Sequence, residues 1–377
     1  MGPLHGYRVL ELAGIGPGPL TGMILADMGA EVIRIERASK DNVATRTDPS
    51  YRGKRSIALD LKSADGINAV LRLVETADVI TEGFRPGVAE RLGLGPEQCM
   101  KRNPKIVYGR VTGWGQSGPL SQAAGHDINY IALTGVLHAI GNRGEAPVPP
   151  LNLVGDMGGG GMLLALGIVA ALLEAQKSGQ GQVVDAAMTD GSALLMWMFH
   201  GMVEMGYHNA EYRGVNVLDG GAHFYNCYET SDRKYVSIGS IEPQFYAQLI
   251  ELAELDPEAF GNQMDHASWP KLKQQLAAVF KSKTRDEWCE ILEGTDVCFA
   301  PVLSLTEAPE HPHNKARNTY ITVDGMAQPA PAPRFDRTPS EVRHGNRPLG
   351  SDTEAVLAEA GFTADEITSL RESGCLT

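Results

Sequence analysis

Tyr7-Arg8-Val9-Leu10-Glu11-Leu12, then Gly14-Ile15-Gly16-Pro17-Gly18, then Glu31-Val32-Ile33-Arg34-Ile35-Glu36 are the segments that decide the fold. The first is apolar enough to be a short buried strand. After the glycine turn, Leu20, Met23, Ile24 and Met28 recur at helical spacing, and Gly29 suits the residue just past a helix end. The third segment reads as a second strand. Strand, turn, helix and strand make a βαβ unit, so the fold class is α/β with a Rossmann-like large domain. A GxGxxG register from Gly14 would need its third glycine where Pro19 stands, and Arg37 directly follows the acidic Glu36. The pattern therefore favours a Rossmann-like unit without a nicotinamide cofactor.

Moving outward, a polar stretch expected to be flexible, Ala38–Ser50, holds Lys40 and Arg46. A strand is expected over Ser56–Leu59. Asp60-Leu61-Lys62-Ser63 opens a helix with Ile67, Val70, Leu71 and Val74 on its apolar face. Asp78–Thr81 is another strand, and it ends at Gly83-Phe84-Arg85-Pro86-Gly87. Arg37, Arg52, Lys54, Arg55, Lys62 and Arg85 thus cluster near strand ends. In an open α/β sheet those ends share the ligand-binding edge, and a ligand with several phosphates needs such cations. About half of the six are expected to touch it, the others being solvated surface charges.

Lys105–Thr112 reads as a strand leading to the focal stretch, which runs from Thr112-Gly113-Trp114-Gly115 to Met162. It contains Gly125-His126-Asp127-Ile128-Asn129-Tyr130 and Asn152-Leu153-Val154-Gly155-Asp156-Met157, closed by the glycines 158–161. His126 and Asp156 stand thirty positions apart, each near glycine and each ahead of an apolar helical run. This spacing suits two acid/base groups delivered on loops to one pocket, although His or Asp in such a place also serves as a plain helix cap. One helix is expected over His126–Ala139 and another from the glycines to about Gln176, with a strand at Gln182–Ala186.

Met188, Met196, Met198, Met202 and Met205 supply five of the thirteen methionines within eighteen residues. Methionine is flexible and polarisable and suits a surface that accepts varied apolar acyl shapes. Gly214–Gly221 suggests a domain boundary. Tyr225–Ile238 reads as a hairpin around Ser231-Asp232-Arg233, and Ile241-Glu242-Pro243-Gln244 presents an acid on a turn before a helix. Helical segments continue to about Glu293, and a Pro-rich passage, Pro329–Pro339, leads to a helical C-terminus.

The chain has 377 residues, enough for two domains, and a net charge of 33 − 46 = −13. An acidic chain does not attract nucleic acid or anionic membrane by its overall field. Cys99, Cys227, Cys289, Cys298 and Cys375 are odd in number and form no CxxC, which fits a reducing compartment and no zinc site. The expected location is cytoplasmic: the N-terminus does not read as a signal peptide, and Cys375-Leu376-Thr377 is not a peroxisomal address. The apolar run near Met162–Leu173 reads as a buried helix too short to span a bilayer.

Leu10-Glu11-Leu12-Ala13-Gly14, Gly29-Ala30-Glu31-Val32-Ile33-Arg34-Ile35-Glu36, Gly83-Phe84-Arg85-Pro86-Gly87-Val88, Arg91-Leu92-Gly93 and Gly155-Asp156 resemble the class III CoA-transferase family over essentially the whole chain. The segments around His126, Asp156 and Glu242 are similar to those of its racemase members. That resemblance implies an interlocked homodimer and a racemase or epimerase acting on 2-methylacyl-CoA thioesters. CoA is then part of the substrate, with no other cofactor, no metal, no nucleic acid and no membrane insertion. It implies His126, Asp156 and Glu242 as catalytic residues, with support from Asp127, Asn152 and Tyr130. Arg37, Leu59, Lys62 and Arg85 are implied for CoA. The implied organisation is a large CoA-binding domain beginning with 1–186, a linker helix 187–221, a smaller α+β domain 222–325, and a return linker completing the large domain over 326–377. The alternatives are an acyl- or formyl-CoA transferase with Asp156 as covalent nucleophile, and a catalytically silent acyl-CoA-binding protein.

Overall fold

β1 (Arg8–Leu12), α1 (Pro17–Asp27) and β2 (Glu31–Glu36) build the βαβ unit expected from the sequence. The structure, a computed structural model, describes residues 1–37 and 48–376. Lys40 and Arg46, with most of the polar stretch around them, lie outside the described residues. β3 (Lys54–Ala58), α2 (Ala64–Val74), β4 (Val79–Glu82), α3 (Val88–Leu92), α4 (Pro96–Arg102) and β5 (Val107–Thr112) follow. β6 (Val183–Ala187) completes a six-stranded sheet in the order β3-β2-β1-β4-β5-β6, with every pair parallel. Strands β1 to β5 are almost wholly buried because helices cover both faces. Strand order reverses between β1 and β4, the switch point where a crevice opens at the strands' C-terminal ends.

The helix expected over His126–Ala139 is two helices, α5 (Asp127–Leu133) and α6 (Val136–Ala139). Gly135, at φ +81°, turns the chain between them. The second arm differs from expectation in another way. Leu153–Met162 winds as a π-helix through its glycines and continues into α7 (Leu163–Ser178), which ends at Gly179. The helical run Leu153–Ser178 therefore has 26 residues and, by length and composition alone, is long and apolar enough to cross a membrane. The run is longer than the apolar stretch Met162–Leu173 expected from the sequence, because the glycines 158–161 continue the helical winding. Part of the run packs inside the fold, where Leu164 and Ile168 meet β5 at Gly109.

The chain divides into two compact units, Met1–Thr134 with Leu151–Leu195 and Asn318–Thr377, and Gly135–Pro150 with Met196–Arg317. The first takes in both chain ends and also α8 (Met188–Leu195). Its C-terminal part has a hairpin, β10 (Tyr320–Val323) and β11 (Met326–Pro329), then α15 (Thr353–Glu359) and α16 (Ala364–Glu372). Leu357 and Ile367 join Ile57 and Leu59 in one buried cluster, and Leu376 bridges to Leu59.

The second unit contains α6 and α9 (Trp197–Glu204), and its sheet is antiparallel, in the order β7-β8-β9: Tyr225–Glu229, Tyr235–Gly239 and Phe299–Val302. The hairpin expected around Ser231-Asp232-Arg233 is present, with Arg233 at φ +60° in its turn. α10 (Pro243–Leu252), α11 (Pro257–Phe260), α12 (Trp269–Phe280), α13 (Arg285–Leu292) and α14 (Pro312–Ala316) follow in order around β9. Phe224, Trp269, Phe280 and Trp288 dominate the core of this unit.

Candidate active site

β5 ends at Thr112, and the next residue must be glycine. A Cβ on Gly113 would lie 2.0 Å from the ring of Tyr130. Trp114 packs edge-on against that ring, centroids 4.8 Å apart. Tyr130 is buried, and its hydroxyl donates to the carbonyl of Gly125. This clamp fixes the peptide just before His126.

His126 is the N-cap residue of α5, in extended conformation. Its N–H donates to Asn129 Oδ1 at 3.0 Å, and its carbonyl accepts from Asn129 N at 2.8 Å. The imidazole is left exposed. Asp127, the first helical residue, is buried, and its Oδ1 accepts the backbone N–H of Asp156 at 2.7 Å.

Asp156 lies in the first turn of the π-helical segment. Its Oδ2 accepts from Asn152 Nδ2 at 3.2 Å. Partial burial raises the Asp156 carboxyl above the usual carboxylate range; the Asn152 hydrogen bond pulls it down, the Asp127 charge pushes it up, and His126 pulls it down. The glycines that follow serve packing. A Cβ on Gly159 would lie 2.8 Å from the Ser192 nitrogen of α8, and one on Gly161 2.9 Å from the Pro17 carbonyl.

His126, Tyr130, Asn152 and Asp156 line one cleft of about 850 Å³ at the switch point, with the Gly14–Gly18 loop after β1 and the Gly83–Pro86 loop after β4. Gly16, at φ +72°, brings backbone close to the Asp156 carboxylate: a Cβ there would sit 3.4 Å from Oδ2. Arg85 lines the same cleft and is exposed. Met188 lines it too, whereas Met196, Met198, Met202 and Met205 belong to the second unit.

The basic cluster divides sharply. Arg52 is buried, with Nη2 2.6 Å from Asp27 Oδ2 and Nη1 donating to Gln328 and Pro329. Lys54 Nζ is buried 2.6 Å from Glu11 Oε2 and donates also to the Pro19 carbonyl. Arg55 pairs with Glu31 and Glu359, each at 2.6 Å. These three are thus committed inside the fold. The cause is that β3 starts two residues earlier than expected, so strand alternation turns Lys54 and Arg55 toward carboxylates on neighbouring elements.

Arg37, Lys62 and Arg85 are exposed and have no ion-pair partner among the described residues. Arg37 follows β2 and Lys62 follows β3, on the same sheet edge. The side chain of Leu59, in contrast, is fully buried in the core and not available to a ligand.

The loop carrying Arg85 has a support that the sequence reading missed. Buried Glu82 accepts the Phe84 N–H at 2.6 Å and Arg110 Nε at 2.7 Å, and Arg110 reaches Glu90. Glu82 and Arg110 are direct partners in the β4–β5 register. Opposite charges on two adjacent apolar strands were the available signal.

Glu242 belongs to the second unit. It is exposed at the N-cap of α10, where Pro243 opens the helix. Gln263 Nε2 donates to the carbonyls of Ser240 and Ile241, each at 2.9 Å, so the turn is braced while the carboxylate is presented outward. Among the described residues no cluster of His, Cys, Asp or Glu could hold a metal ion.

The sequence model of CoA-transferase family III matches residues 4–353. The chain is 49% identical to alpha-methylacyl-CoA racemase of Mus musculus over 97% of its length and 96% of that protein. Identity to alpha-methylacyl-CoA racemase of Homo sapiens is 45%, with the same coverage of 97% and 96%. Among solved structures, a CAIB/BAIF family protein from Brucella suis superposes with a TM-score of 0.83 at 26% identity, covering 95% of this chain and 99% of that one.

Proposed function

The chain belongs to CoA-transferase family III, and from that premise we propose that it is an α-methylacyl-CoA racemase. It interconverts R and S 2-methylacyl-CoA thioesters by 1,1-proton transfer through an enolate. The observation that carries the reading is that His126 and Asp156, borne on separate arms, line one cleft.

A thioester α-proton is weakly acidic, and inversion requires removal from one face and return to the other. Two bases flanking the α-carbon do this without either having to swing across it. An imidazole can both accept and release a proton, which suits His126 to the role, and Asp156 is held above the usual carboxylate range. One group can therefore be protonated while the other is not. Backbone N–H groups opening α5 at Asp127 stabilise the enolate oxygen; one such donor is worth roughly 3 kcal/mol. Asn152 and Tyr130 hold the site in shape. Arg37, Lys62 and Arg85 bind the CoA phosphates, and no further cofactor takes part.

The protein acts as an interlocked homodimer, in which Glu242 of the partner subunit orients His126. Exposed Leu166 and Leu173 on α7 and Leu194 and Leu195 on α8 support assembly, because a second copy would cover them. A reducing, cytoplasmic setting suits the five free thiols.

The test uses single enantiomers of a 2-methylacyl-CoA in D₂O, followed by NMR. Racemisation with α-deuterium incorporation is expected. His126→Ala should block exchange from one enantiomer and Asp156→Ala from the other. If both variants racemise at the native rate, the reading is wrong. Hydroxylamine or borohydride trapping of an Asp156 adduct would instead identify an acyl-CoA transferase.

A further inference from the structure

The carboxylate of Asp127 has no part in the scheme above, yet its surroundings are specific. It sits directly after His126 and is only 5% exposed. Its Oδ1 accepts the Asp156 N–H across 29 residues of chain. Its Oδ2 is buried and finds no partner among the described residues, an arrangement that is costly for a charged group. The first N–H groups of a helical segment lack acceptors within it. Asp127 therefore caps the second arm from the first. The contact also needs a gap in the chain's own side chains: a Cβ on Gly155 would lie 2.6 Å from Asp127 Oδ1 and 3.0 Å from its Cγ.

We infer that Asp127 is a positioning residue whose carboxylate, reaching the Asp156 amide through the gap left by Gly155, sets the separation of His126 and Asp156. The two acid/base groups are then held by one cross-arm hydrogen bond, not independently. The inference deepens the racemase reading and rests on it for the catalytic consequence only. The hydrogen bond itself can be tested without any reaction.

The experiment compares full-length wild type with Asp127→Ala, Asp127→Asn and Gly155→Ala. Hydrogen exchange of the Asp156 amide is followed on ¹⁵N-aspartate-labelled protein, and thermal unfolding checks that each variant is folded. Asp127→Ala should speed that exchange about tenfold or more. It should lower kcat about a hundredfold, the loss expected for a displacement near 1 Å, with KM nearly unchanged. Proton abstraction from the enantiomer facing Asp156 should suffer more than from the other. Asp127→Asn keeps an acceptor oxygen and should restore both amide protection and most of kcat. Gly155→Ala closes the gap from the other side and should deprotect the same amide. An unchanged Asp156 amide in folded Asp127→Ala or Gly155→Ala overturns the tether. A protected amide in Asp127→Asn with kcat still at the Ala level overturns the positioning role. If the wild type exchanges no α-proton, the racemase reading fails while the amide comparison still decides the tether.

Discussion

Asp156 must be deprotonated to abstract a proton, and burial makes that harder than for an ordinary aspartate. The Asn152 hydrogen bond works the other way by favouring the charged form. Removing it in Asn152→Ala should move the acid limb of kcat/KM to higher pH for the enantiomer that Asp156 deprotonates, leaving the opposite enantiomer's profile in place. A limb that stays put or moves down would contradict this. Arg85 is a residue of another kind. It lines the cleft exposed and unpaired among the described residues, so its contact with CoA should be the same in ground and transition states. Arg85→Ala should raise KM for acyl-CoA about tenfold or more with kcat nearly unchanged; steady-state kinetics checks the split. Arg52, Lys54 and Arg55 should show no such KM effect beyond what lost stability brings, because their charges are already answered inside the fold.

At the scale of elements, the turn after β5 depends on the fit of Gly113 to the Tyr130 ring. Gly113→Ala should destabilise by about 1–3 kcal/mol, as overpacking does. A smaller partner, in Gly113→Ala/Tyr130→Leu, should recover part of that, giving a non-additive double-mutant cycle by denaturant unfolding. In the second unit, α10 is anchored by a buried histidine. His223 Nε2 lies 2.7 Å from the Tyr246 hydroxyl, which itself donates to the Phe260 carbonyl at 3.0 Å. The hydroxyl proton is therefore used, so Nε2 carries its own proton and donates, leaving Nδ1 bare and buried. Burial holds this imidazole down at about 4, below its ordinary 6.5. A histidine depressed in this way contributes stability that is full above pH 6.5 and lost as pH falls toward 4. The loss is of order 3 kcal/mol. Tm measured across that window should fall more steeply in wild type than in His223→Gln. Equal slopes would show that another group sets the acid limit.

For the whole molecule, the division into two units places His126 and Asp156 in one and Glu242 in the other. If Glu242 of the partner subunit completes each site, inactive Glu242→Ala and His126→Ala homodimers refolded together should yield hybrids with about half of native activity, or about a quarter for the whole mixture, since one site in a hybrid regains all its groups. No recovery with hybrids present would place the three residues in one chain.

The sequence alone determined the α/β class, the parallel βαβ beginning, the family, and the residue types at His126, Asp156 and Glu242. Apolar periodicity and turn chemistry are local properties, legible wherever glycine and strand runs punctuate the chain. The π-helical winding of 153–162 was not legible, because glycine carries no apolar signal and the packing of Gly159 against α8 comes from residues far along the chain. The fate of the cations was equally hidden. Arg37 and Arg52 look alike in sequence, yet one is exposed and the other is locked to Asp27, Gln328 and Pro329. Only tertiary structure decides which charges meet a partner and which remain for a ligand. The pairing of Asp127 with the Asp156 amide is of the same origin: it depends on how two distant arms approach, and no local spacing records that distance.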